Sequence, residues 1–118
     1  MSTLQRELAK AKDFDFMIED HGLPTLTGAF QYDSGGVQGL GYMVDVAFLM
    51  RFLGVFGVYC LRAVNGRSCW VMVEDGVIVG IEPLHKKEGT PFRISDWREW
   101  RKTQSNPSAH EMLTGAKP

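Results

Sequence analysis

Residues 46–56, VAFLMRFLGVF, constrain this chain more than any other segment, because apolar side chains occur all round the run and only Arg51 and Gly54 interrupt them. A helix that is apolar on every side has to be covered by the rest of the fold or by a partner. Asp45 supplies a good N-cap and Gly57 a natural stop, so the run predicts a buried helix over Val46–Phe56. Phe48, Leu49, Phe52, Leu53 and Phe56 then form the centre of the core, each contributing roughly 1.5–3 kcal/mol on burial. The wider apolar stretch Leu40–Leu61 contains Asp45 and Arg51, each costing about 2.5–3.5 kcal/mol at a bilayer centre. With Gly54 and Gly57 also in it, the stretch reads as a core helix with flanks and not as a membrane span.

Strands are the natural cover. Residues 13–19 alternate, with Phe14, Phe16 and Ile18 on one side, and 25–32 alternate again through Leu26, Phe30 and Tyr32. The loop Asp20–Pro24 between them makes an antiparallel hairpin. A second hairpin is signalled by Asp75-Gly76, a pair suited to a type I′ turn, between strands 68–74 and 77–82. Residues 3–12 favour helix by propensity and read as either a short peripheral helix or a lead-in to the first strand, and 34–41 (SGGVQGLG) read as a glycine-rich loop. Residues 58–67 fit either a strand or a helical turn ending at Asn65-Gly66, and Ser95 caps a short helix from Asp96 to about Gln104. The expectation is one α+β domain over 1–104, two hairpins packed on a central helix with a short C-terminal helix, and a polar flexible tail over 105–118.

Thirteen basic residues against fourteen acidic give a net charge near -1, which weighs against a dedicated binder of phosphate backbones. A nucleic-acid-binding module remains the alternative, with Arg93, Arg98, Arg101 and Lys102 beside Trp97 and Trp100 as its contacts. The competing account of the tryptophans is that they pin the last helix to the sheet. Cys60 and Cys69 fit two small hydrophobes on buried faces, and the charged N-terminus without an apolar core predicts a cytoplasmic protein. No cofactor or metal is expected. Glu19, Asp20 and His21 alternate in direction and cannot converge on one ion, and the glycines follow no phosphate-binding order. Ser34, Ser68 and the cysteines lie beside no evident base, so no catalytic residue can be named and an enzyme using the glycine-rich loop ranks third.

The order of motifs adds a resemblance. Ile18-Glu19-Asp20-His21-Gly22-Leu23-Pro24, then Phe30-Gln31-Tyr32, then Gly36-Val37-Gln38-Gly39-Leu40-Gly41-Tyr42, Asp45 and the apolar helix resemble a group of small phage and prophage proteins. In that group an EDHG turn precedes a G-x-x-Q-G-x-G loop, and a later hairpin ends in an Ile-Glu step, here Ile81-Glu82. The resemblance implies a phage accessory protein acting in a bacterial host cell, binding and inhibiting a host protein such as a CRISPR–Cas or other defence complex. Its contact surface would comprise Glu19, Asp20, His21, Asp33, Gly35, Gly36, Gln38, Gly39, Gly41, Glu74 and Asp75, the carboxylates meeting basic surface that normally holds nucleic acid. Self-association into a homodimer is a further expectation, since the helix is more apolar than one sheet face covers.

Overall fold

The computed structural model describes residues 3–103. In chain order these form β1 (Leu4–Ile18), β2 (Pro24–Tyr32), β3 (Val37–Met43), α1 (Val46–Phe56), a 3₁₀ turn (Leu61–Ala63), β4 (Ser68–Glu74), β5 (Val77–Pro83), β6 (Phe92–Arg93) and α2 (Ile94–Thr103). The strands make one antiparallel sheet in the order β3-β2-β1-β4-β5-β6. The α+β class holds, but the sheet is a three-stranded meander joined to a second meander, larger than the two hairpins expected.

Residues 3–12 take the second of their two readings, leading straight into the strand over 13–18 although propensity favours helix. Leu4–Lys10 pair with Glu74–Ser68 on one side, and Ala9–Lys12 pair with Tyr32–Ala29 on the other. Ala9 and Ala11 are buried while Lys10 and Lys12 are exposed, a period of two within good helix formers. Hydrogen bonding along both edges outweighs a helical preference of a few tenths of a kcal/mol per residue. Fully extended, a strand of 15 residues would span about 50 Å at ~3.3 Å per residue.

A bulge divides β1. Its pairing with β2 shifts between Lys12 and Asp15, and Asp13 takes a left-handed φ of 56°. The Asn65 side chain satisfies the displaced backbone, accepting from Phe14 N at 2.7 Å and donating to Phe14 O at 3.1 Å. Phe14 is thereby aimed into the core, with ring centroids 5.1 Å from Phe30 and 4.9 Å from Phe52. Its ring lies so close over Gly28 that a Cβ there would fall 2.3 Å from it.

α1 buries Phe48, Phe52, Val55 and Phe56 against the sheet and leaves Val46 and Met50 exposed. Asp45 Oδ1 accepts from both Phe48 N (2.8 Å) and Trp97 Nε1 (2.9 Å), so the cap also ties α1 to α2. Gly57, at φ 64°, ends the helix after 11 residues. The apolar run does continue, with mean hydropathy 1.6 over Val46–Ala63. The α-helix itself is only about 16 Å long, well short of the ~30 Å of a hydrocarbon core.

The ambiguous 58–67 segment takes its helical-turn reading, a 3₁₀ turn over Leu61–Ala63 followed by the buried Val64. It leaves Cys60 exposed, contrary to expectation, whereas Cys69 on β4 is buried as expected. α2 begins at Ile94, so Ser95 sits in its first turn and is not the cap. Trp97 is buried edge-on against Phe48 at 4.8 Å, so it pins the last helix to α1 and not to the sheet as expected, while Trp100 is 36% exposed. The tail expected over 105–118 lies outside the described residues.

Candidate functional site

The two motifs behind the resemblance take concrete form as one repeated turn and one strand. In the first turn Glu19 N donates to Leu23 O (2.9 Å), Gly22 N donates to Glu19 O (2.7 Å), and Gly22 has φ 81°. In the second, Tyr32 N donates to Gly36 O (2.7 Å), Gly35 N donates to Tyr32 O (2.9 Å), and Gly35 has φ 111°. Asp20-His21-Gly22 and Asp33-Ser34-Gly35 are thus two copies of a three-residue hairpin loop, with glycine where φ is positive. The glycine-rich loop expected over 34–41 is therefore a turn followed by β3. Gly39 and Gly41 are strand residues paired with Ala29 and Thr27.

The second turn is built into the fold. Tyr32 is buried, and its hydroxyl donates to Gln38 Oε1 at 2.5 Å. Gln38 Nε2 in turn donates to Gly76 O at 2.9 Å, joining the β2–β3 turn to the β4–β5 turn across the open end of the sheet. Asp33 N donates to Leu8 O at 2.9 Å, while Thr3 N donates to Asp75 Oδ1 at 3.2 Å. Burial pushes the Tyr32 phenol upward, helped by the charge of Glu7 and by Cys69, so it stays protonated as a donor. Burial also pushes the Cys69 thiol up to about 12, leaving it an inert hydrophobe.

These links gather Asp33, Gly35, Gly36, Gln38, Glu74 and Asp75 at one end, with Asp33 and Asp75 exposed. Gln38, Leu40 and Tyr42 lie opposite Phe30, Gly28 and Leu26 and so share the core face of the sheet. With Gly76, Val77 and Ile78, β3 lines a cleft of about 220 Å³ open to solvent.

Glu19, Asp20 and His21 do not join this group. They cap the first turn, at the far end of the nine-residue β2, about 30 Å away. Glu19 is occupied locally, accepting from His21 N at 2.8 Å and lying 3.3 Å from His21 Nδ1. Among the described residues no three His, Cys, Asp or Glu side chains are grouped to hold a metal ion. The sequence reading also missed that Phe16, Met17, Ile18 and Leu23 at this turn are 39%, 44%, 61% and 43% exposed.

The basic residues proposed for nucleic acid are on or beside α2, and three of them engage partners within the chain. Arg101 lies 3.9 Å from Asp45 Oδ2 and stacks over Trp97, Lys102 pairs with Glu99 at 3.2 Å, and Arg98 lies 5.8 Å over the Tyr42 ring. Arg93 is exposed on β6. Trp97, being buried, offers no face to a base. Tyr32 was read from the sequence only as a core-facing strand residue, and its hydroxyl's bond to Gln38 was missed. Its position as the last core-facing residue before a turn was the available signal.

Fold and site together define a class: a small α+β domain with a six-stranded antiparallel sheet whose acidic end is cross-linked by hydrogen bonds. No protein-family model, curated protein or solved structure matches the chain.

Proposed function

We propose that this protein is a phage-type accessory protein that binds a host protein and inhibits it, a defence complex such as CRISPR–Cas being the target class. One observation carries the choice of surface: the Tyr32–Gln38–Gly76 chain of hydrogen bonds holds the two acidic turns in a fixed relation. A contact surface ordered before binding loses little conformational entropy on association. Asp33, Glu74 and Asp75 then present negative charge to a basic surface of the partner, which favours fast encounter and rejects wrong partners. The phage origin and the inhibitory role rest on the resemblance of the EDHG and G-x-x-Q-G-x-G motifs, not on this geometry. The nucleic-acid alternative is weakened by the burial of Trp97 and by the internal engagements of Arg98, Arg101 and Lys102.

The test is a tagged pull-down from bacterial host lysate, with and without nuclease, read by mass spectrometry. Wild type should retain a stoichiometric protein after nuclease treatment. Asp33→Lys with Asp75→Lys should lose it, while Asp20→Lys at the remote turn should keep it. A nuclease-sensitive catch, or retention by the double variant, would sink this assignment.

A further inference from the structure

We infer that the free edge of β1 at residues 15–18 is a docking site for an extended segment of another protein in which basic and apolar residues alternate. The site lies at the far end of β2 from Asp33 and stands independently of the contact proposed there. β4 flanks β1 only from Leu4 to Lys10. The chain ahead of β4 closes a little more of that edge. Ala11 N donates to Arg67 O at 2.9 Å, Gly66 N donates to Ala11 O at 2.8 Å, and the Asn65 side chain holds both main-chain groups of Phe14. Among the described residues no strand continues this side past Phe14, and residues 15–18 pair with β2 alone. Asp15, Phe16, Met17 and Ile18 are all exposed. A strand flanked on both sides over a core hides every second residue, as β1 does at Ala9 and Ala11.

The edge has a defined hydrogen-bonding sense. Glu19 N donates to Leu23 O at 2.9 Å, which turns the main chain of Glu19 toward β2. Alternation then turns Met17 toward β2, and turns the N–H and C=O groups of Phe16 and Ile18 outward. Asp15 Oδ1 accepts from Phe16 N at 2.9 Å, so a carboxylate covers one outward donor while the edge is empty. Charged side chains commonly blunt such edges. A basic residue of an incoming strand draws this carboxylate aside and frees the donor.

Side-chain alternation specifies the partner. Phe16 and Ile18 share one face, and Asp15, Met17 and Glu19 share the other. Residues 13–27 include the carboxylates of Asp13, Asp15, Glu19 and Asp20 and contain no lysine or arginine. None of these carboxylates forms an ion pair with a lysine or arginine elsewhere among the described residues. A strand added to the edge sends its own side chains to the two faces in turn. Its apolar residues meet Phe16 and Ile18, and the basic residues between them meet Asp15 and Glu19. The same carboxylates repel an anionic lipid surface. A second copy is also a poor source, because the chain's own alternating basic segment, Lys10-Ala11-Lys12, is already held inside the sheet. So short a pairing falls below the roughly 1,000 Å² of a stable interface, and the association is weak and transient.

Titration of the isotope-labelled full chain with the end-blocked peptide Lys-Val-Lys-Val-Lys-Val-Lys, read by amide chemical shifts at up to about 1 mM, tests this. The largest shifts should fall at Phe16 and Ile18, whose amide protons should also exchange more slowly. Lys-Ser-Lys-Ser-Lys-Ser-Lys has the same charge and should bind about tenfold or more weakly. Glu-Val-Glu-Val-Glu-Val-Glu should not bind. Ile18→Pro removes an outward N–H, spares the bonds to β2, and should weaken binding about tenfold or more with little change in melting temperature. Asp15→Lys with Glu19→Lys should abolish it. No shift at the highest concentration, shifts centred on Asp33 and Asp75, equal binding of the serine peptide, or indifference to Ile18→Pro would each overturn the inference. Concentration-dependent shifts at residues 15–18 without peptide would also overturn it, giving the edge to a second copy, as would their uptake onto phosphatidylcholine vesicles, giving it to lipid.

Discussion

The turns at Asp20–Gly22 and Asp33–Gly35 share an Asp-x-Gly sequence, a hydrogen-bond pattern and a positive-φ glycine, yet the fold uses them differently. The second is preceded by a buried tyrosine whose hydroxyl leads through Gln38 to another hairpin. The first projects past the core, with Phe16, Met17, Ile18 and Leu23 exposed around it and Glu19 bonded locally to His21. Identical local chemistry therefore yields one anchored and one free turn. The difference lies in what each turn's neighbours reach, and local sequence does not carry that information.

Three substitutions separate the two turns, in decreasing order of effect. Phe52→Ala removes the ring beneath Phe14, which orients β1 between the turns, and should cost about 3–5 kcal/mol, enough to unfold the domain or lower its melting temperature drastically. An unchanged melting curve would mean that the α1 core does not support both ends. Gln38→Ala cuts the Tyr32–Gly76 bridge and leaves a half-buried hydroxyl without its acceptor, for about 1–3 kcal/mol. Hydrogen exchange should accelerate at the second turn and at Gly76, and stay unchanged at Gly22. Equal acceleration at both turns would erase the distinction between them. The finest test compares Gly35→Ala with Gly22→Ala. Each places an alanine at positive φ with a local strain of about 1–2 kcal/mol. At the anchored turn that strain should appear in global stability by chemical denaturation. At the free turn local opening should relieve much of it, leaving a loss below about 1 kcal/mol.

Several elements were legible in the sequence because they depend on nearest neighbours. The α1 run between Asp45 and Gly57 and the Asp75-Gly76 hairpin each carry their signal within a few residues, and the structure has both. Residues 3–12 were legible only as a choice between helix and strand lead-in, since their helical propensity is real and loses only to pairing with β2 and β4. The glycine-rich segment was misread as loop for a related reason. Its glycines imply nothing about φ unless the chain demands a left-handed residue, and at Gly39 and Gly41 it does not.

The candidate site divides in the same way. Asp33, Gln38 and Asp75 could be chosen from the sequence as polar residues at turns, but their assembly at one end, and the exclusion of Glu19, Asp20 and His21 from it, could not. The sequence by itself determined the class of fold, the central helix with its caps and the two hairpin turns at Asp20–Pro24 and Asp75-Gly76, because backbone conformation and side-chain periodicity are local properties. Tertiary structure alone decided which strands share an edge, which turn is locked, and which edge stays open. Those outcomes rest on hydrogen bonds between residues more than seventy apart in the chain, such as the 72-residue separation between Thr3 and Asp75.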